Sequence, residues 1–169
     1  MLRRTTLVLV VLAALLGLVV GRSLATPVSG VSAETALGPL VDRPLDVSME
    51  FENGTKAEVE LKTKGPILVA QQRAVVAPNG TIGWHSHPGP TVVTIFSGTM
   101  SFYHAEDCTE RITFEAGDSF SNLPDEIHLA RNEDGAVPLV FFASYYLPPG
   151  TPLSGIRINQ DSPGEGCPE

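Results

Sequence analysis

Two of the four histidines in this 169-residue chain stand two positions apart, at His85 and His87. Residues i and i+2 of a β-strand point to the same face, so both imidazoles can reach one ion. Pro88, Gly89 and Pro90 then turn the chain sharply, which brings Thr91 back beside the pair. A third histidine, His128, lies where an apolar stretch ends in a Pro124-Asp125 turn and a new strand begins. Neutral imidazoles suit Zn, Cu, Ni and Fe, and three of them on one ion leave positions open for water or a small molecule.

The elements that must carry these residues read as β throughout. Short runs rich in Val, Ile, Phe, Thr and Tyr alternate with Gly, Pro, Asn and Asp, and no long helical pattern with a capped start interrupts them. Strands are predicted at 45–51, 56–63, 66–76, 81–86, 91–96, 99–104, 111–114, 118–122, 126–132 and 137–147. Asn53-Gly54 supplies a two-residue hairpin turn, since both residues tolerate positive φ. Pro78-Asn79-Gly80, Ser97-Gly98, Glu115-Ala116-Gly117-Asp118 and Asp134-Gly135 punctuate the rest. Many short strands at this spacing make a sandwich or a barrel.

Two segments resemble the paired motifs of the cupin superfamily. Gly80, His85, His87 and Gly98 answer the first motif, and Gly117, Pro124, His128 and Asn132 the second, over about residues 66–147. The resemblance implies an all-β double-stranded β-helix (jelly-roll) barrel and one divalent transition metal ion, Fe, Zn, Cu, Ni or Mn, held by His85, His87 and His128. Two positions depart from the pattern. Thr91 stands where the motif carries its glutamate, and the second glycine of motif two is missing around Glu126. A neutral hydroxyl is a poor ligand, so the site is expected to be three-histidine, which argues against chemistry that needs the carboxylate, such as oxalate-type reactions. It is similar instead to the three-histidine iron sites of thiol dioxygenases. Without the carboxylate the site is more positive and favours an anionic small-molecule ligand, such as a carboxylate, thiolate or hydroxide.

Other residues compete for roles around that centre. Gln72 lies on the face opposite Gln71 and Arg73, and which face looks inward is open at this level. One of Tyr145 and Tyr146 must point inward and could hydrogen-bond a bound species, and with Gln72 they are the candidate substrate-orienting residues. Trp84 faces away from the metal and reads as packing. His104 reads as an exposed hairpin histidine, and Arg131 and Asn132 as structural.

The flanks bear on location and partners. Arg3 and Arg4 precede an apolar run from Leu7 to Gly21, the pattern of a signal peptide or an N-terminal membrane anchor over residues 1–25. Cleavage is readable after Ala25 or after Ala33. Residues 26–43 read as a flexible linker, 44–147 as the barrel and 148–169 as an irregular C-terminal arm. Export places the domain outside the cytoplasm, secreted or tethered, with no membrane contact beyond the N-terminal segment. There Cys108 and Cys167 would form one disulfide, the alternative being two free thiols. The chain has 11 basic and 19 acidic residues, and three of the basic ones, Arg3, Arg4 and Arg22, fall within residues 1–25. So acidic a domain argues against a nucleic-acid partner. Pairing as a homodimer is implied by fold analogy alone. Three functions stay open: a metal-dependent, dioxygenase-like enzyme, a non-catalytic extracytoplasmic protein that binds a small ligand or a metal, and a structural or interaction module in which the barrel merely persists.

Overall fold

The computed structural model describes residues 26–42, 46–50 and 58–169. The export segment read over residues 1–25 and the Asn53-Gly54 turn therefore lie outside the described residues. The strands are β1 (Ser29–Val41), β2 (Asp46–Glu50), β3 (Glu58–Lys62), β4 (Ile67–Ser86), β5 (Thr91–Ser97), β6 (Thr99–His104), β7 (Ile112–Glu115), β8 (Ser119–Asn122), β9 (His128–Arg131), β10 (Leu139–Leu147) and β11 (Ile158–Asn159). The described residues contain no α-helix, only a single 3-10 turn over Leu153–Gly155.

Nine of these strands form one antiparallel sheet curled into a nearly closed barrel, in the order β7-β6-β9-β4-β10-β5-β8, with β1 and β11 also on β4. β2 and β3 pair separately, Asp46 opposite Lys62 and Glu50 opposite Glu58. Strict alternation builds the core. In β10, Leu139, Phe141, Ala143, Tyr145 and Leu147 are buried while the residues between them are not. Their inward side chains meet Ala70, Ala74 and Val76 of β4, Val93 and Ile95 of β5, and Met100 and Phe102 of β6. A second cluster of Trp84, Tyr103 and Leu129 packs with Cys108 and Cys167. Trp84, which precedes His85 on its strand, is thus a packing residue as expected.

Two expectations about the chain path need correction. Pro78-Asn79-Gly80 does not reverse the chain, and the strands expected at 66–76 and 81–86 are one strand, β4, with a bend. Asn79 has φ 60°, and a Cβ on Gly80 would sit 2.9 Å from the carbonyl oxygens of Ala77 and Ser29. The bend lets β4 change partners. Its first half pairs with β1 and β10, its second with β9 and β11. Asn132 staples the corner through Nδ2, which donates to Val76 O at 3.1 Å and Val137 O at 2.8 Å.

Most of the segment read as a flexible linker over 26–43 is likewise strand, because β1 pairs with β4 from Ser29 opposite Thr81 to Val41 opposite Ile67. The first half of β4 would otherwise present a row of unpaired N–H and C=O groups, which favours capture of any segment that can reach it. Among the described side chains of β1, Val31 alone packs against the core, so burial does little to mark it as a strand. Thr26 is buried too, and its Oγ1 accepts a hydrogen bond from the Trp84 N–H at 2.8 Å. The C-terminal arm is irregular apart from β11, which pairs with Ser86 and His85.

Candidate metal centre

β4 and β9 run antiparallel with His85 opposite His128, so the register alone brings the two rings together. His87 follows just past the end of β4, and the turn after it is unusually tight. A Cβ on Gly89 would lie 2.0 Å from Tyr146 O, so only glycine lets the turn pack against the end of β10. Next to Glu126, around which the second motif's glycine is missing, Asp125 takes the left-handed conformation at φ 59°. Aspartate is among the few residues that adopt it readily. In that position its N–H donates to His87 O at 2.8 Å, tying the two histidine-bearing turns together.

His85, His87 and His128 are all buried, and one ligand atom from each lies within 4.8 Å of the other two. Their ring centroids are 4.3 to 5.3 Å apart. Each Nδ1 meets a backbone carbonyl: His85 that of Gly83 at 2.8 Å, His87 that of Ile156 at 2.7 Å, His128 that of Glu126 at 2.9 Å. A carbonyl oxygen only accepts, so every Nδ1 carries the proton and every Nε2 keeps its lone pair. This is how metal-bound histidines are oriented from outside their coordination sphere. The donor set thus fits a divalent transition metal.

Protonation is disfavoured at the same three rings. Burial depresses the pKa of His85 well below its ordinary value, helped by His128 and His87. Burial likewise lowers that of His87, and lowers His128 to about 3, with His87 as the next cause. The unfolded chain therefore takes up protons below pH ~6.5 that the folded chain refuses. In the metal-free protein the full stability is present above about pH 6.5 and declines as the pH falls below it, for His128 by up to about 1.4 kcal/mol per pH unit until about pH 3, with His85 and His87 adding in the same direction. Urea denaturation of metal-free protein at several pH values in that range checks this. A flat profile would show that the rings are not held neutral.

The histidines line a cavity of about 110 Å³. Tyr145 is the tyrosine that turns inward. Its ring stands edge-on to His87 at 5.1 Å, burial pushes its phenol above the usual range, and its hydroxyl donates to Gln72 Oε1 at 3.0 Å. Gln72 also lines the cavity, and its Nε2 donates to Thr35 Oγ1 of β1 at 2.8 Å, so the segment expected to be a linker supports the site. Tyr146 lies outside this cavity. Thr91 lines it with Oγ1 buried and unpartnered, and Asn122 Nδ2 approaches His128 Nε2 at 3.4 Å. His104 is not part of the cluster. It ends β6 half-exposed, with Nδ1 2.7 Å from Glu126 Oε1.

Besides Asn122, the contributors not apparent from the sequence are Arg157 and the Ile156 carbonyl, both on the C-terminal arm. The two isoleucines flanking an arginine in Ile156-Arg157-Ile158, within an otherwise Pro- and Gly-rich stretch, are the one signal that points to them. The arm is clipped down by the disulfide between Cys108 and Cys167, and Trp84 Nε1 donates to Pro168 O at 2.8 Å.

Residues 72–145 match the family model described as Cupin domain. No protein of curated function matches the sequence. Among solved structures, the chain is similar to the polyketide cyclase RemF from Streptomyces resistomycificus, at 15% identity and a TM-score of 0.45, over 56% of this chain and 64% of that one. It is also similar to a cupin superfamily protein from Desulfitobacterium hafniense, at 12% identity and a TM-score of 0.43, over 62% and 79% of the two chains. A third is an oxalate oxidase in complex with glycolate, at 21% identity and a TM-score of 0.43, over 48% and 44%.

Proposed function

This chain belongs to the cupin superfamily, and on that premise we propose that it binds one divalent transition metal through His85, His87 and His128 and works as a metal-dependent enzyme on a small molecule. The observation that carries the reading is the set of three buried rings whose Nδ1 atoms all face backbone carbonyls, which leaves three Nε2 lone pairs together in one cavity. When bound, the metal would supply Lewis acidity at positions the protein leaves open, the chemistry oxygenase-type enzymes use. The chain's own part is to shape the cavity, keep the rings neutral, and orient a ligand through Tyr145 and Gln72.

One observation favours the alternative of a non-catalytic binder. Among the described residues neither Asp, Glu nor Lys lines the cavity, so none of these stands beside the histidines as a general base. Oxygen uptake by ferrous-loaded protein with a panel of small acids and thiols separates the two. Turnover with any of them supports the enzyme, and saturable binding without product supports the binder.

Export is part of the proposal. It is supported by the apolar run from Leu7 to Gly21 and by the disulfide, which suits an oxidising compartment. No helix among the described residues is long and apolar enough to cross a membrane. Of the two cleavage sites, the one after Ala25 is compatible with the fold, since cutting after Ala33 would remove Thr26 and the first residues of β1.

A further inference from the structure

We propose that Arg157 is the carboxylate-binding residue of this cavity, and that the ligand it selects is a small carboxylic acid. The inference rests on the metal-centre reading and narrows its ligand class. Arg157 reaches the cavity from the C-terminal arm and is half-buried. Nη2 donates to Ile82 O, while Nε is buried without a hydrogen-bond partner. A guanidinium drawn out of water is normally paired with a carboxylate, because the loss of hydration is otherwise uncompensated. Among the described residues no carboxylate pairs with Arg157, and none lines the cavity.

The surroundings set the shape of the missing partner. Thr91 Oγ1 and Asn122 Oδ1 are also buried and unpartnered, so three of the cavity's residues hold polar atoms with no hydrogen bond inside the protein. Buried polar atoms of this kind are rare unless a ligand or water serves them. Arg157 also acts electrostatically on all three histidines, lowering their proton affinity. A dication held there would add to the same uncompensated positive charge, which an anion relieves. The guanidinium fork matches the two oxygens of a carboxylate. The cavity, of about 110 Å³, has room for a small acid beside Arg157. Val93, Met100, Phe102 and Phe120 add an apolar wall for the acid's hydrocarbon part.

The test uses the full, disulfide-bonded protein loaded with zinc and titrated calorimetrically with propionate and with its neutral isostere propionamide. The parent is expected to bind propionate at least about tenfold more tightly than propionamide, the size of one charge-assisted contact. In Arg157→Gln that preference disappears while one zinc per chain is retained, and in Arg157→Lys it falls but persists. Were Arg157 only a pin for the arm, its loss would weaken both probes alike, so an unchanged ratio overturns the proposal. So does a parent that fails to discriminate or that binds neither probe. Should the glutamine variant not fold, the lysine variant decides, and an undiminished preference there is again fatal. A parent that holds no zinc but shows the Arg157-dependent preference overturns the metal-centre reading alone. One zinc per chain without the preference overturns this inference alone.

Discussion

In His128→Ala, metal content measured by elemental analysis is expected to fall from one ion per chain to near none, with affinity reduced more than about 100-fold. Losing a mere outer partner of a ligating histidine costs roughly 10- to 100-fold, and removing the ligand itself costs more. His128 also packs face-to-face on Phe102 at 5.1 Å, so the variant leaves a void and should lose about 1–3 kcal/mol of stability before metal is added. The matched control is His104→Ala, which removes a half-exposed histidine outside the cluster. It should leave the metal content at that of the parent. Equal metal in both variants would show that any ion sits elsewhere, and the reading of this site would fall with it.

Reducing the disulfide is expected to have the second largest effect. Cys108 and Cys167 are 59 residues apart, and closing a loop of that length stabilises the folded state by about 4 kcal/mol in the chain-entropy treatment. The consequence reaches the metal, because the tethered arm supplies Ile156 O to His87 and places Arg157. Metal affinity should therefore drop about 10- to 100-fold on reduction or in Cys167→Ser, the range for lost orienting partners. Trp84 reports the same event independently, since its Nε1 bond to Pro168 O should go and its fluorescence shift to the red. A thermal melt combined with a metal titration of oxidised and reduced protein checks both. Unchanged affinity would mean that β11 and the 3-10 turn hold the arm without the clip.

Much of this site is legible in the sequence because its signals are local. The i and i+2 spacing of His85 and His87, the breaks at Pro88-Gly89-Pro90 and the Pro124-Asp125 turn before His128 act within a few residues. Thr91 in the glutamate's position is legible for the same reason, as is the division of β10 into two alternating faces. Alternation separates Tyr145 from Tyr146 but does not say which face closes the barrel, so it cannot choose between them. The bend in β4 reads as a turn because Asn79 and Gly80 signal a change of direction without its size. Pairing of β4 with β9 and β11 past the bend decides that the chain continues forward.

The two ends of the domain carry no such local signal. β1 brings Val31 alone of its described side chains to the core and holds its place by backbone hydrogen bonds to β4, while Arg157 enters the cavity from a segment that reads as irregular. Side-chain type and short-range spacing are enough to specify an all-β barrel, the three metal-ligating candidates and the absence of a carboxylate among them. It takes the folded chain to show that Tyr145 and Gln72 face the histidines, that β1 supports them, and that the arm closes the site with a cation. Those facts follow from contacts between residues dozens of positions apart, where unpaired strand edges and buried polar groups take partners by proximity in space.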